Sequence, residues 1–153
     1  MEELLKLLKA KKLTIGSCES LTAGLFTAEL AAISGASAVL KGGIVTYQSD
    51  VKLGLVGVDK ALTAQYGVVS EQCARAMAFN ACRLLKCDLC VSFSGNAGPS
   101  TMEGKPVGCV YCAIAFKDQT FAYHFQLSGS RNEIRAQAVE CMAQKLIEFI
   151  KNI

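Results

Sequence analysis

The chain has 153 residues, of which 52% are hydrophobic and 19% are charged, and its formal net charge is +3. This length is typical of one domain with its own core, here expected to span residues 1–153. The weak charge argues against a nucleic-acid partner, and no apolar run approaches the roughly 18 residues that cross a bilayer, so we expect a cytoplasmic protein without a membrane partner.

The first half of the chain predicts helices and strands in alternation. Leucines at helical spacing predict a helix over 2–11, and a short apolar run predicts a strand over 12–16. Small polar residues at 17–20 predict a turn, and a helix over 21–33 follows it. A strand over 38–46 precedes two short helices, over 52–55 and up to Gln65, and a long helix that Ser70 caps and that reaches Leu85.

The second half predicts a strand, a hairpin and a closing helix. An apolar strand is expected over 88–94, followed by a mobile loop over 100–106. Two strands, over 107–116 and 120–127, form a hairpin, and the capping box of Ser130 and Glu133 begins a helix that ends near Ile150. Helices interspersed with apolar strands predict a three-layer α/β/α sandwich with a mixed, mostly parallel sheet.

Eight cysteines raise the question of a metal site. The pairs Cys87/Cys90 and Cys109/Cys112 have a spacing that fits a four-cysteine zinc site. Both pairs fall in apolar, strand-like runs, where residues three apart point to opposite faces, so neither pair is expected to bind one ion. We therefore predict reduced thiols packed in the core and no metal.

Small polar and glycine-rich segments follow three of the predicted strands, at 18–24, 42–52 and 94–99. In open α/β sheets, ligands bind beyond such strand ends. Ser20 lies in the first segment, where two interpretations remain open. It is either a nucleophile next to the free N–H groups of the following helix or the N-cap of that helix.

A serine nucleophile needs a base, and the sequence offers few. The single histidine, His124, lies in an alternating strand and is expected to be exposed, which argues against a Ser-His-Asp triad. A lysine in a low-dielectric pocket can serve instead. Lys52 and Tyr47 lie close together in the second segment, although a surface tyrosine and a helix-face lysine would show the same spacing.

Six motifs occur in a fixed order along almost the whole chain. They are ESLTAG at 19–24, GIVTY at 43–47 with Lys52, GVVS at 67–70, SGNAGP at 94–99, KPVG at 105–108, and GSR at 129–131 with Arg135. Together they resemble the CinA C-terminal domain family, also known as the nicotinamide mononucleotide deamidase family. The resemblance does not extend to the amino-terminal domain of full-length CinA proteins, so we expect a stand-alone form.

The resemblance implies a metal-independent amidohydrolase without a cofactor. Such an enzyme converts nicotinamide mononucleotide and water to nicotinate mononucleotide and ammonia, a step of NAD recycling. It implies that Ser20 is the nucleophile, that Lys52 is the general base and that Tyr47 is a relay or an orienting hydroxyl. The substrate-binding residues implied by the same motifs are Glu19, Thr22, Gly24, Gly43, Ser94, Gly95, Asn96, Gly98, and Arg131 or Arg135 for the phosphate.

Some positions depart from the family pattern. The family commonly has glycine where this chain has Ala23, isoleucine where it has Asn96, threonine where it has Ser94, and glycines at 100–102. Because we expect these departures to fall on the pocket walls, an alternative is a catalytically degenerate domain that binds a nucleotide or a partner protein. A third, weaker alternative is a thiol-rich or zinc-binding structural protein. The resemblance and the apolar composition also suggest a homodimer or a larger homo-oligomer.

Overall fold

The computed structural model describes all 153 residues. The chain forms six α-helices, one short 3-10 helix (Ala36–Ala38) and five strands. Their bounds are α1 Glu2–Lys11, β1 Ile15–Glu19, α2 Leu25–Ala31, β2 Leu40–Val45, α3 Ser49–Gly54, α4 Lys60–Tyr66, α5 Glu71–Leu85, β3 Leu89–Gly95, β4 Cys109–Phe116, β5 Gln119–Gln126 and α6 Arg131–Lys151.

The predicted helix caps are largely confirmed. The Ser70 side chain accepts a hydrogen bond from the amide of Cys73 and begins α5, and Ser130 forms the capping box with Glu133 at the start of α6. The first turn is different. The predicted helix over 21–33 begins only at Leu25, because Ala23 (φ 49°) and Gly24 (φ 94°) adopt left-handed conformations that are incompatible with an earlier helical start.

The five strands form one mixed sheet in the order β2-β1-β3-β4-β5. Strand β1 pairs in parallel with both β2 and β3, and β4 pairs antiparallel with β3 and β5. Four strands therefore run in one direction and only β4 opposes them, which confirms a mixed, mostly parallel sheet. The predicted hairpin is also confirmed, with residues 117–118 between its strands.

Helices cover both faces of the sheet, as the sandwich prediction requires. On one face, α1, α2 and α6 pack a core of 21 buried residues against β1, β3 and β4. On the other face, α5 packs a core of 15 buried residues that is rich in alanine and cysteine. The small side chains let the helix lie close to the strands. None of the helices is long and apolar enough to cross a membrane.

All eight cysteines are free thiols, and six of them are buried. Cys109 and Cys112 pack into the cores on opposite faces of the sheet, as residues three apart in a strand must. The Cys82 and Cys87 sulfurs are 3.9 Å apart at the end of α5. No group of three His, Cys, Asp or Glu side chains lies close enough to hold a metal ion.

The sheet direction brings the three polar segments to one edge. Strands β1, β2 and β3 end side by side, since Glu19 pairs with both Val45 and Phe93. The amide of Ser20 donates to the carbonyl of Phe93, and the amide of Thr46 donates to the carbonyl of Glu19. The residues that follow each strand therefore surround a common point at the carboxyl edge of the sheet.

Candidate active site

The central contact of this edge joins Ser20 and Lys52. Ser20 follows β1, and Lys52 lies in α3, which begins after β2. The Nζ atom of Lys52 lies 3.0 Å from Ser20 Oγ and donates a second hydrogen bond, of 2.9 Å, to the carbonyl oxygen of Thr46. Residues 32 positions apart in the chain thus form a serine–lysine pair whose geometry allows direct proton transfer.

Lys52 is a buried cation without an ionic partner. Its side chain is 1% exposed, and it takes part in none of the four salt bridges of the chain. Burial lowers the pKa of the Lys52 ammonium below its ordinary value, because the charged form loses its hydration. The lowered pKa raises the fraction of neutral amine near pH 7, which is the form that can act as a base.

The turn between β1 and α2 has an acid at its centre. The Glu19 carboxylate is fully buried and accepts hydrogen bonds from three amides at the start of α2, with two hydroxyl groups completing its contacts. The three amides are those of Gly24, Phe26 and Thr27. Glu19 therefore stabilises the helix N-terminus, and its carboxylate does not line the cavity at Ser20 that the predicted binding role would require.

Because Glu19 occupies these amides, the start of α2 cannot offer them to a developing oxyanion. Ser20 is not the N-cap of the helix either, since that position belongs to Gly24. The backbone amides of Leu21 and Thr22 donate no hydrogen bond within the chain. They are the free donors next to the Ser20 hydroxyl in sequence.

A cavity of about 210 Å³ opens at Ser20. Ser20 itself is 7% exposed, and Lys52 lies behind it, outside the cavity wall. The lining comes from all three predicted segments and from the start of α6: Ser20, Leu21, Tyr47, Gly95, Asn96, Ala97, Gly98, Ser100, Thr101, Met102 and Arg131. The placement of Lys52 lets it exchange a proton with Ser20 while remaining shielded from solvent.

Tyr47 lines the cavity but does not contact the serine–lysine pair. Its side chain is 54% exposed, and its hydroxyl accepts a hydrogen bond of 2.5 Å from Nη2 of Arg131. Nη1 of Arg131 donates to the carbonyl of Gly98 at 2.7 Å. Tyr47 and Arg131 thus form a polar rim on the solvent side of the cavity, and the geometry does not support a proton relay from Tyr47 to Ser20.

The second candidate arginine, Arg135, has a different position. Its guanidinium donates to the carbonyls of Leu21 and Thr22, both at 2.9 Å, and to the side chain of Asn132. Arg135 therefore supports the turn after Ser20 from outside the cavity. Thr22 is fully buried, and its hydroxyl is the one buried side-chain polar atom without a hydrogen-bond partner.

The third segment contributes backbone to the cavity and side chains to the scaffold. Gly95 and Gly98 line the cavity, and a Cβ at Gly95 would lie 2.6 Å from the carbonyl oxygen of Cys109. The Asn96 side chain hydrogen-bonds Met102 and Lys105 and so holds the loop that follows. Ser94 donates to the carbonyl of Val68, makes no hydrogen bond to Lys52 and does not line the cavity.

Two predicted binding glycines have structural positions. Gly24, with its left-handed φ, is the N-cap of α2, and its amide donates to Glu19. Gly43 lies in β2 next to β1, where a Cβ would be 2.2 Å from the Thr27 hydroxyl and 2.7 Å from the Ser17 hydroxyl. Neither glycine lines the cavity.

Two contributions had no signal in the sequence. The carbonyl of Thr46 orients the Lys52 amine, and any residue type supplies a carbonyl. Glu103 accepts hydrogen bonds from the amides of Val68 and Val69, which attaches the loop over 100–106 to a distant segment. The hydrogen bonds of Asn96 and Glu103 attach this loop, for which the sequence predicts mobility, to the rest of the fold.

Comparison with known proteins identifies relatives of this chain. Residues 1–150 match the model of the family described as CinA C-terminal domain. A competence-damage inducible protein of Geobacillus sp. (strain WCH70) is 45% identical over 136 residues, which cover 88% of this chain and 33% of the relative. One from Listeria monocytogenes serotype 4a (strain HCC23) is 41% identical over 145 residues, covering 94% of this chain and 35% of the relative. The chain thus spans about a third of the length of these curated relatives.

Solved structures show the same fold. A CinA superfamily protein from Klebsiella pneumoniae 700603 superimposes with a TM-score of 0.96 at 28% identity, covering 99% of this chain and 95% of that one. A CinA superfamily protein from Escherichia coli gives a TM-score of 0.92 at 26% identity, covering 96% of this chain and 88% of that one.

Proposed function

Because the chain belongs to the CinA C-terminal domain family, we propose that it is an amidohydrolase that deamidates nicotinamide mononucleotide with Ser20 and Lys52. The observation that carries the proposal is the hydrogen bond of 3.0 Å between Ser20 Oγ, which lines a cavity, and the buried Lys52 amine behind it. A buried lysine is costly to retain for stability alone, and a lowered pKa is what a lysine base requires.

The first half of the reaction forms an acyl-enzyme. Neutral Lys52 accepts the hydroxyl proton of Ser20, and the Ser20 oxygen attacks the carboxamide carbon of the substrate. The free amides of Leu21 and Thr22 are placed next in sequence to the nucleophile and are our candidates for stabilising the oxyanion. Protonated Lys52 then gives its proton to the leaving nitrogen, so that the C–N bond breaks and ammonia leaves.

The second half regenerates the enzyme. A water molecule attacks the ester carbon while Lys52 again accepts a proton, and nicotinate mononucleotide leaves as Ser20 recovers its hydrogen. The carbonyl of Thr46 keeps the Lys52 amine oriented toward Ser20 through both halves. The chain's own residues thus supply nucleophile, base and acid.

Arg131 and Tyr47 are our candidates for binding the part of the nucleotide that lies beyond its nicotinamide ring. Arg131 lines the cavity on its solvent side, and a guanidinium with unused donors binds a phosphate well. Arg135 is the weaker candidate for this role, since the turn after Ser20 occupies its donors. We assign Tyr47 an orienting role at the rim.

The test is ammonia release from nicotinamide mononucleotide, nicotinamide riboside and nicotinamide by purified protein. We expect the phosphorylated substrate to react fastest and Ser20→Ala to lose activity. The control is Ser128→Ala, at an exposed serine outside the cavity, which should retain activity. Binding of the mononucleotide without ammonia release by the wild type would favour a degenerate, binding-only domain.

A further inference from the structure

Residues 100–102 form one wall of the cavity, and Glu103 directly after them contacts a distant segment of the chain. Oε1 of Glu103 accepts a hydrogen bond of 2.6 Å from the amide of Val68, and Oε2 accepts one of 3.0 Å from the amide of Val69. The Lys105 ammonium lies 3.4 Å from Oε2 and also donates to the carbonyl of Val69. One carboxylate therefore connects the cavity wall to the segment before α5.

The local backbone on both sides is adapted to this contact. A Cβ at Gly67 would lie 2.3 Å from Oε2 of Glu103, so the glycine leaves the space that the carboxylate occupies. Glu103 has a φ of 60°, in the left-handed region that residues with a Cβ rarely adopt. An unfavourable backbone conformation that persists in a loop indicates that its side-chain contacts hold it there.

The receiving segment also contacts the strand that ends at the cavity. The carbonyl of Val68 accepts a hydrogen bond of 2.6 Å from Ser94 in β3. The side-chain amide of Asn96, just after β3, donates to the carbonyls of Met102 and Lys105. The wall and the residues that follow it are thus attached through Asn96 at the base, through Glu103, and through the bond from Lys105 to the carbonyl of Val69.

We propose that Glu103 is a positioning residue that holds residues 100–102 beside Ser20. With the carboxylate on the amides of Val68 and Val69, the wall completes the cavity. Without it, the wall keeps the Asn96 bonds and the bond from Lys105 to the carbonyl of Val69, but loses the two bonds that Glu103 accepts. The inference rests on the site of the proposed function, but the attachment itself can be measured without a substrate.

The experiment is amide hydrogen exchange of the full chain labelled with 15N, followed by NMR. In Glu103→Gln, which keeps the shape and removes the charge, we expect the amides of Val68 and Val69 to exchange faster with solvent than in the wild type. The matched control is Glu148→Gln, at an exposed acid paired with Lys145 on α6, and it should leave that exchange unchanged.

Activity measurements give the catalytic counterpart. For Glu103→Gln we expect KM for nicotinamide mononucleotide to rise about tenfold or more, because the wall no longer positions the substrate. We expect kcat to change less than KM, a split that simple loss of stability does not produce. If Glu103→Gln does not fold, Glu103→Asp is measured instead, since aspartate keeps the charge but cannot reach both amides. We then expect faster amide exchange at Val68 or Val69.

An unchanged KM in Glu103→Gln would refute the positioning role. Amides of Val68 and Val69 as protected as in the wild type would refute the attachment itself. If no protein, wild type included, releases ammonia, the proposed function fails and the NMR results alone decide this inference.

Discussion

Replacing Lys52 by methionine removes the buried amine and keeps a side chain of similar length. The wild-type nitrogen makes two hydrogen bonds, to Ser20 and to the carbonyl of Thr46, and each charged bond contributes about 1.5–3 kcal/mol. Against this loss, burying an ammonium without an ionic partner costs several kcal/mol. Because the two terms are of similar size, we expect the unfolding free energy of Lys52→Met at pH 7 to equal the wild-type value or exceed it by up to about 3 kcal/mol.

The difference in unfolding free energy between Lys52→Met and the wild type should decrease as the pH rises. Burial lowers the pKa of Lys52 in the folded state, whereas the unfolded chain keeps the ordinary value of about 10.4. Between these two pKa values the unfolded chain binds more protons, so wild-type stability rises with pH in that window. The advantage of Lys52→Met is therefore largest below the folded pKa and decreases as the pH approaches the ordinary lysine value.

The assay is urea unfolding of both proteins at pH 7 and pH 9, together with ammonia release from nicotinamide mononucleotide. We expect activity to fall by about 10²–10⁴ or more, the range for loss of a general base. If Lys52→Met lowered the unfolding free energy by more than about 3 kcal/mol, and equally at both pH values, this would contradict the account of a buried cation without an ionic partner. Retained activity would remove Lys52 from the mechanism.

Three further predictions concern other parts of the site. Arg131→Ala should raise KM for nicotinamide mononucleotide about tenfold or more and leave KM for nicotinamide riboside unchanged, because only the mononucleotide has a phosphate. Equal effects on the two KM values in steady-state kinetics would contradict this. Glu19→Gln should lower the unfolding free energy by about 2 kcal/mol or more, since an amide cannot accept all the bonds that the carboxylate does; an unchanged urea midpoint would show that those bonds contribute little. Ala23→Gly should raise the thermal midpoint, because glycine adopts the φ of 49° without steric cost; a lower midpoint would contradict the strain at this position.

The pattern of the sequence predicted the scaffold well because the relevant signals are local. Residues close together in the sequence determine these elements: the apolar runs form the strands, and the Ser70 cap and the Ser130 capping box begin α5 and α6. The prediction that α2 starts at residue 21 was wrong for a physical reason. The 21–24 segment has helical apolar spacing, but the Glu19 carboxylate takes the amides of the first helical turn, and Ala23 and Gly24 turn the chain before it.

The sequence predicted the contacts between motif residues that follow neighbouring strands. It did not predict contacts of single residues that are far apart in the chain. Ser20 and Lys52 follow neighbouring strands of the sheet, so their contact follows from the topology. The choice between Arg131 and Arg135 needed coordinates, because both lie in the first turns of α6 and only their contacts differ. The contact of Glu103 with Val68 spans 35 positions and depends on a left-handed backbone that no local pattern indicates.

The most direct test of the serine–lysine mechanism is product partitioning with hydroxylamine during turnover of nicotinamide mononucleotide. An acyl group on Ser20 is open to attack by hydroxylamine as well as by water. We therefore predict that the hydroxamate of the mononucleotide forms at the expense of nicotinate mononucleotide, in the wild type and not in Ser20→Ala. Nicotinate mononucleotide as the sole product, released equally fast by both proteins, would contradict a covalent role for Ser20.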